Sequence, residues 1–227
     1  MTQLNGRRAL VTGGARGLGA GMAEALTAAG AGAMIADVLK DVGEQTAAGL
    51  EGAGFVPLDI TSDADWEAAV AHTVAEFGGL DIVVNNAGIE VTSLIIDTDA
   101  DELRTMFEVN ILGTTLAIKH AFRAMKPDGA AGQGGTVINI SSVAATIAFP
   151  GIAGYSGTKS AVDRITRIAA AESGRLGYGV RVNCIYPGLV ATDMGVKLAV
   201  ETSALGLFES PDAAVGAVIG LTPSGRL

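Results

Sequence analysis

Three side chains whose spacing suits proton transfer stand out in the second half of the chain. Ser142 is followed thirteen residues later by Tyr155, and Lys159 comes four residues after the tyrosine. Four residues are about one helical turn, so Tyr155 and Lys159 share a helix face. An ammonium group beside a phenol favours the phenolate, which lets a tyrosine act as a general acid or base near neutral pH. The alternative is an aromatic–lysine pair on the surface of an amphipathic helix.

A glycine-rich turn near the N-terminus could hold a phosphate group. Gly13, Gly17 and Gly19 form a G-x-x-x-G-x-G pattern between a predicted strand at residues 8–12 and a predicted helix at residues 17–29. In a chain with 32 glycines the pattern alone has low specificity, but its position is informative. At the first strand-to-helix turn of an α/β sheet, a dinucleotide pyrophosphate meets a helix N-terminus. The alternative is a tight turn without a ligand.

One carboxylate bears on which dinucleotide would bind. Asp37 ends the second predicted strand, eighteen residues after Gly19. A carboxylate at this place accepts hydrogen bonds from the adenosine ribose hydroxyls and repels a 2′-phosphate, which favours NAD over NADP. Arg16 acts in the opposite direction, because a cation in the glycine turn can pair with a 2′-phosphate. The residues therefore favour NAD, with an NADP-dependent ketoreductase as the alternative.

These residues need a frame that brings distant segments together, and the apolar pattern predicts one. Short runs rich in Val, Ile and Ala alternate with longer amphipathic segments, as expected for a parallel sheet that is covered on both faces. The sequence predicts a single α/β domain over residues 1–227, a doubly wound parallel sheet with helices on both faces. The predicted strands are 8–12, 33–37, 55–58, 80–85, 136–141 and 180–185, and the predicted helices are 17–29, one ending near 52, 64–77, 100–125 and 154–176.

Composition narrows the classes of partner. The formal net charge is −9, which argues against nucleic acid and anionic membrane surfaces. No apolar run approaches the roughly 20 residues that a transmembrane helix needs, and the N-terminus does not resemble a signal peptide, so we expect a cytoplasmic location. The single cysteine, Cys184, excludes an intramolecular disulfide and a zinc site of several cysteines. His72 and His120 lie on different predicted helices, so no metal is predicted.

Five motifs in order resemble the short-chain dehydrogenase/reductase family over most of the chain. Besides the glycine turn and the Ser–Tyr–Lys spacing, the chain carries Asp-Ile at residues 59–60 and Asn-Asn-Ala-Gly at residues 85–88. Asn110 lies inside the long predicted helix, and Pro-Gly at residues 187–188 with Thr192 follows the sixth strand. Within the family, the chain resembles NAD-dependent secondary-alcohol and hydroxysteroid dehydrogenases. The resemblance implies a Rossmann-type fold and a homotetramer or homodimer.

The resemblance implies a role for each of four catalytic residues. Tyr155 would give or take the proton of the substrate hydroxyl, while Ser142 would hydrogen-bond the substrate oxygen. Lys159 would bind the nicotinamide ribose and lower the pKa of Tyr155. Asn110 would hold a water that links Lys159 to solvent as a proton relay. Hydride transfer itself belongs to the cofactor, which the protein positions.

The same resemblance, with the residues above, outlines a cofactor surface. Residues 59–60 would flank the adenine, residues 86–88 would pass under the adenosine ribose, and residues 187–192 would cover the nicotinamide. The residues expected to bind the cofactor are Gly13, Arg16, Gly17, Leu18, Gly19, Asp37, Asp59, Ile60, Asn86, Ala87, Gly88, Tyr155, Lys159, Pro187, Gly188, Val190 and Thr192.

The substrate would meet residues 143–152, the loop after Gly88 and a covering segment at about residues 190–210. The side chains that these segments offer are apolar, with Glu90 the only obvious charge and no arginine to clamp a carboxylate or phosphate. We therefore expect an uncharged, hydrophobic secondary alcohol or ketone, whether alicyclic, aryl, terpenoid or steroid. The expected substrate contacts are Ser142, Val143, Phe149, Tyr155 and Met194.

Two departures from the family pattern bear on activity. Gly157 stands where the family usually has a small non-glycine residue, and glycine inside a helix costs about 1 kcal/mol relative to alanine. Family members usually continue through another helix and a seventh strand, but this sequence ends in Ser-Gly-Arg-Leu at residues 224–227, so we expect the C-terminal strand to be missing. A non-catalytic dinucleotide sensor on the same fold is a further alternative, although such proteins typically lose the tyrosine or the lysine.

Overall fold

Short apolar runs form the strands of one parallel sheet. The computed structural model of the protein describes residues 3–221 and 225. In that part of the chain the strands are β1 (Arg8–Thr12), β2 (Gly32–Asp37), β3 (Ala53–Pro57), β4 (Ile82–Asn85), β5 (Gly135–Ile140) and β6 (Val180–Ile185). Every residue of β4 is buried, and β1 and β2 are buried along most of their length. Strands of this kind need cover on both faces of the sheet.

Helices supply that cover from both sides. Within the described residues they are α1 (Gly17–Ala28), α2 (Lys40–Ala48), α3 (Asp63–Phe77), α4 (Ala100–Phe107), α5 (Gly113–Met125), α6 (Ala153–Leu176), α7 (Asp193–Ala204) and α8 (Pro211–Leu221). Leu10 on β1 belongs to a large core cluster with Trp66 of α3 and Ile118 of α5. Its neighbour Val11 belongs to a second cluster with Ala23 of α1. Successive strand residues therefore enter different cores, which confirms the predicted doubly wound α/β fold.

The strand order places a crevice at one edge of the sheet. The order is β3-β2-β1-β4-β5-β6, and all neighbouring strands are parallel. From β1 to β3 the chain adds strands on one side of the sheet, and from β4 to β6 it adds them on the other side, so the order switches between β1 and β4. Ligands of open α/β sheets bind outside the carboxyl ends of the strands at such a switch point. The segments that follow β1, β4, β5 and β6 therefore converge on one edge, which is where the predicted site residues lie in the sequence.

The long predicted helix at residues 100–125 is wrong in one respect, because it is interrupted. A five-residue π-helical turn, Glu108–Leu112, separates α4 from α5, and Asn110 lies at its centre. The hydroxyl of Thr114 donates to the carbonyl of Asn110 at 2.9 Å, four residues back. At the start of α5, Gly113 lies against Ile60, where a Cβ would come within 2.6 Å of the isoleucine side chain. The turn thus sets both the inward position of Asn110 and the approach of α5 to the sheet.

An ion pair fixes the amino ends of β1 and β4 at the opposite edge of the sheet. Asp81, which is buried, accepts hydrogen bonds from the Arg8 backbone amide at 2.9 Å and from Arg8 Nε at 2.6 Å, and from Arg7 Nη1 at 3.1 Å. Burial alone would raise the pKa of Asp81, but the Arg8 hydrogen bonds hold it below its ordinary value. The pair is structural and lies far from the crevice.

Two helices beyond β6 were not predicted as such. α7 begins at Asp193, with the Thr192 hydroxyl accepting a hydrogen bond from the Gly195 amide at 3.3 Å as its N-cap, and α8 follows. In the part of the chain that the structure describes, β6 is the last strand, and no helix is long and apolar enough to cross a membrane. The prediction about the C-terminal residues 224–227 falls, apart from residue 225, outside the described residues.

Candidate active site

A cavity of about 750 Å³ opens at the carboxyl edge of the sheet, and nearly all predicted site residues line it. The predicted cofactor, catalytic and substrate residues on its wall are Gly13, Arg16, Gly17, Leu18, Asp37, Asp59, Ile60, Asn86, Ala87, Gly88, Ser142, Val143, Phe149, Tyr155, Lys159, Pro187, Gly188, Val190, Thr192 and Met194. Gly19 and Asn110 do not line the cavity but pack directly behind residues that do. The structure therefore brings together residues that are up to about 180 positions apart.

The glycine turn at the end of β1 is packed too closely for side chains. Gly13 has a φ of +62°, and a Cβ there would lie 2.8 Å from the Ala87 Cα atom. At Gly19 a Cβ would lie 2.1 Å from the Gly13 carbonyl oxygen. Gly17 begins α1 with a φ of +59°, and no acidic side chain occupies the first turn of this helix. The backbone amides at this helix N-terminus thus fit a pyrophosphate group.

Thr12, which was not among the predicted site residues, connects this turn to the segment after β4. Its Oγ1 accepts hydrogen bonds from the backbone amides of Asn86 and Ala87, both at 3.1 Å. The Asn86 side-chain amide in turn donates to the carbonyls of Thr12 and Gly13, each at 3.1 Å. These bonds lock residues 86–88 beside the glycine turn. A threonine directly before the first glycine was the available signal.

Asp37 is held at the rim of the cavity with acceptor capacity to spare. Its Oδ2 accepts from the Ala15 amide and its Oδ1 from the Leu39 amide, both at 3.0 Å. Each carboxylate oxygen can accept a second hydrogen bond, so both remain able to receive ribose hydroxyls. Arg16 extends instead toward α7, where its Nη1 lies 3.2 Å from Oδ2 of Asp193 in an exposed ion pair. The cation of the glycine turn is thus paired with a carboxylate.

Tyr155 and Lys159 lie one turn apart near the start of α6, as their spacing predicted. The Lys159 Nζ atom is 5.6 Å from the centre of the Tyr155 ring and donates to the Ile140 carbonyl at 2.9 Å. Burial raises the pKa of Tyr155 to about 12, against a smaller lowering by its hydrogen bond with Ser142 and a further rise from the charge of Glu90. Burial also lowers the pKa of Lys159 to about 8.

These values bear on the protonation state of the tyrosine. A lowering of the Tyr155 pKa by Lys159 was expected, but in the protein alone burial dominates and keeps Tyr155 a neutral phenol. A neutral phenol can donate a proton, as ketone reduction requires. Bringing its pKa from about 12 to 7 would take about 7 kcal/mol of selective stabilisation of the phenolate. The buried ammonium of Lys159 is the cation within the site that is best placed to contribute.

The Asn110 side chain is hydrogen-bonded to the backbone of the segment after β4. The buried side chain donates from Nδ2 to the Ile89 carbonyl at 2.9 Å and to the Thr158 hydroxyl at 3.0 Å, and its Oδ1 accepts from the Ile89 amide at 2.9 Å. A Cβ on Gly88 would lie 3.1 Å from Asn110 Oδ1 and 3.4 Å from Lys159 Nζ. Asn110 and Lys159 therefore flank Gly88, while the predicted water relay remains a prediction.

The other end of the cavity is largely apolar. Phe149 stacks on Phe208 with ring centres 5.4 Å apart, and Val218 of α8 also lines this end. Neither Phe208 nor Val218 was predicted, because nothing in the local sequence shows which helix returns over the sheet. Glu90 is an exception in this wall, since its carboxyl is buried there.

Several known proteins are similar to this chain. The chain matches the short chain dehydrogenase family over residues 7–202. It is 41% identical over 200 residues to trans-4-hydroxycyclohexanecarboxylate dehydrogenase of Sinomonas cyclohexanicum, covering 84% of this chain and 74% of the relative. It is 42% identical over 193 residues to the 3-alpha-(or 20-beta)-hydroxysteroid dehydrogenase of Mycobacterium tuberculosis strain H37Rv, covering 85% and 72%.

Two further comparisons cover a similar part of the chain. The 2,5-dichloro-2,5-cyclohexadiene-1,4-diol dehydrogenase of Sphingobium indicum strain B90A is 38% identical over 196 residues, with 86% of this chain and 76% of the relative covered. A crystal structure of a short chain dehydrogenase from Mycobacterium smegmatis superposes with a TM-score of 0.76 at 29% identity, covering 84% of this chain and 80% of the other.

Proposed function

Because this chain belongs to the short-chain dehydrogenase family of nicotinamide-dependent oxidoreductases, we propose that it transfers hydride between NAD and an uncharged, hydrophobic secondary alcohol or ketone. The observation that carries the proposal is the position of Ser142, Tyr155 and Lys159 on the wall of the cavity that also holds the glycine turn and Asp37. Bound nicotinamide would supply or accept the hydride. The protein would orient the substrate and handle its proton.

Each catalytic side chain has a distinct part in this proposal. Tyr155, a neutral phenol in a buried setting, would donate its proton to the carbonyl oxygen during reduction and take it back during oxidation. Ser142 would stabilise the same oxygen as negative charge develops. Lys159 would favour the phenolate through its charge. Asn110 would be a positioning residue, because its hydrogen bonds run to the backbone of Ile89.

The preference for NAD rests on Asp37. Its carboxylate stands at the rim of the cavity with both oxygens able to accept ribose hydroxyls, and it would repel a 2′-phosphate. Arg16 supports the NADP alternative, but its pairing with Asp193 turns it toward α7. We expect Asp37→Ser to reduce the NAD-to-NADP ratio of kcat/KM by at least about tenfold, since it removes both the acceptor and the repulsion. Steady-state kinetics with each cofactor at equal concentration measures this ratio.

The apolar end of the cavity supports the proposed substrate class. Val143, Phe149 and Met194 line it, and Arg16, the one arginine on the described cavity wall, belongs to the glycine turn and is paired with Asp193. The names of the relatives describe action on ring alcohols, a hydroxycyclohexanecarboxylate, a cyclohexadienediol and hydroxysteroids. For this chain we propose the neutral members of that group, because among the described residues no arginine fork lies at this end to hold a carboxylate and the buried Glu90 carboxyl lines it.

The deciding experiment compares two tyrosine variants. With NAD and a panel of alicyclic, aryl and steroid secondary alcohols, we expect Tyr155→Phe to lose at least about a hundredfold in kcat, because it lacks the transferred proton. Tyr178→Phe is the matched control, since Tyr178 packs edge-on against Phe122, with ring centres 5.4 Å apart, and does not line the cavity. Reduced-nicotinamide absorbance measures turnover. Cofactor binding without turnover of any alcohol would instead favour the non-catalytic sensor.

Apolar side chains on the outer helices support the proposed homodimer or homotetramer. Phe107, Leu112, Ile168 and Leu176 are all exposed, and they belong to the segment from α4 to α6 on one side of the sheet. Large apolar residues exposed on neighbouring helices are typical of a surface covered by another copy. Light scattering coupled to size-exclusion chromatography measures the assembly, and a monomer at micromolar concentration would contradict this proposal.

A further inference from the structure

Glu90 is a buried carboxyl group in the apolar end of the cavity. The residue is about 6% exposed, and it lines the cavity together with Phe149, Ile152 and Tyr155. Its Oε1 accepts a hydrogen bond from the Thr92 hydroxyl at 2.8 Å. Its Oε2 is buried and accepts no hydrogen bond from any residue that the structure describes. Buried polar atoms without a partner are rare in folded proteins, so this oxygen calls for one.

The backbone holds Glu90 in place from two sides. The preceding residue, Ile89, exchanges two hydrogen bonds with the Asn110 side chain, both at 2.9 Å. Further along, Ser93 forms a parallel bridge with Ile152, and its amide donates to the Gly151 carbonyl at 2.8 Å. These contacts tie the segment after β4 to residues 151–152, which lie directly before α6, the helix that carries Tyr155. A carboxyl group fixed this way keeps a constant relation to the tyrosine.

Nearby charges from α7 do not neutralise the Glu90 carboxyl. Lys197 Nζ donates to the backbone carbonyl of Glu90 at 3.2 Å and lies 3.6 Å from Oε1 of Glu201. Burial raises the pKa of Glu90 above its ordinary value, the Thr92 hydrogen bond and the charge of Lys197 lower it in part, and the charge of Glu201 raises it further. Glu201 also has a buried Oε2 without a hydrogen-bond partner among the described residues, so neither of these two side chains of α7 supplies the partner that Glu90 Oε2 lacks.

We propose that Glu90 selects substrates that carry a second hydroxyl group, which hydrogen-bonds to the Glu90 carboxyl group while the reacting oxygen lies at Tyr155 and Ser142. This inference rests on the proposed function and adds a substrate class to it, the ring diols and hydroxyketones. A hydroxyl suits the position because it can donate to a carboxylate and can accept from a protonated carboxyl. A ligand ammonium group would require the ionised Glu90 carboxylate, and a ligand carboxylate would require the protonated Glu90 carboxyl.

Binding in a complex that cannot react tests the proposal. With NADH present an alcohol can bind but cannot be oxidised, so calorimetry can compare cyclohexanol with the cis and trans isomers of the cyclohexane-1,2-, 1,3- and 1,4-diols. In the parent, at least one diol should bind more tightly than cyclohexanol. Glu90→Leu should weaken the binding of that diol by about 10- to 100-fold relative to the binding of cyclohexanol. Glu90→Gln keeps an acceptor oxygen and should stay within about threefold of the parent ratio.

The outcomes separate a recognition role from a structural one. If Glu90 has only a structural role, Glu90→Leu should weaken the binding of cyclohexanol and of the diol equally, and an unchanged ratio of the two affinities overturns the proposal. The proposal is also overturned if the parent binds no diol more tightly than cyclohexanol. If Glu90→Leu does not fold, Glu90→Met provides the same comparison. Diol discrimination that depends on Glu90, but without oxidation of any alcohol by NAD, would support this role and contradict the proposed function.

Discussion

Replacement of Gly19 by alanine should distort the glycine turn, because Gly19 packs against the side of the turn that faces away from the cavity. The Cβ of an alanine at this position would lie 2.1 Å from the Gly13 carbonyl oxygen and 2.6 Å from Asn86 Nδ2. Real Cβ atoms do not approach backbone atoms this closely, so the turn or α1 must move. The Asn86 side-chain amide bridges the carbonyls of Thr12 and Gly13, and movement of either group breaks this bridge.

The size of the effect follows from the contacts involved. Loss of the two hydrogen bonds of the Asn86 amide costs about 1 kcal/mol each, and insertion of a methyl group into a packed site adds about 1–3 kcal/mol. Alanine recovers about 1 kcal/mol through its helix propensity. We therefore expect Gly19→Ala to lower the free energy of unfolding by about 2–4 kcal/mol. We also expect a loss of at least about tenfold in NADH affinity, because the displaced atoms belong to the glycine turn that would hold the pyrophosphate.

A matched glycine on the same helix provides the control. A Cβ at Gly21 would meet no atom within 4 Å, so Gly21→Ala should keep NADH affinity and raise the melting temperature by about 2–4 °C. Thermal unfolding and the quenching or enhancement of NADH fluorescence measure both quantities for both variants. If Gly19→Ala binds NADH as tightly as Gly21→Ala does, the close packing of the turn has no role in cofactor binding.

Three further predictions address the site and its frame. Asn110→Ala removes three hydrogen bonds and should cost about 3 kcal/mol in chemical denaturation, with a lower kcat/KM because Ile89 loses its anchor; unchanged kinetics would contradict the positioning role. Asp81→Asn should cost about 3 kcal/mol of stability yet leave NADH affinity near the parent value. Glu90→Gln removes a charge that raises the pKa of Tyr155, so the pH profile of alcohol oxidation should move to lower pH, and a shift to higher pH would refute this.

Much of the fold was predictable because both faces of the sheet are covered. Strands buried on both faces need continuous apolar runs, which are visible in the sequence without knowledge of their partners. The structure confirms the six strands in their predicted places within a few residues, for example β3 at Ala53–Pro57 where residues 55–58 were predicted. The site residues were placed by the turns after these strands, since the fold brings those turns to one edge.

The missed features depend on contacts between distant segments. The interruption at Glu108–Leu112 carries no glycine or proline to mark it, and it forms because the Asn110 amide finds the backbone of Ile89 and the hydroxyl of Thr158. The hydrogen bonds that Thr12 accepts from residues 86 and 87, and the burial of Glu90, likewise arise only when the chain folds. The raised pKa of Tyr155 could not be predicted either, because the sequence shows the lysine four residues away but not how deeply the tyrosine is buried.

The π-helical turn also limits how the length of this part of the chain can vary. Each residue of an α-helix rotates the chain by about 100°, so the wide turn at Glu108–Leu112 contains one residue more than a straight helix would need. Deletion of that residue would let α4 and α5 join without a break, but it would swing Asn110 away from Ile89. An insertion would rotate Gly113 off Ile60 instead. Natural variants of this sequence should accordingly tolerate substitutions here far better than changes of length.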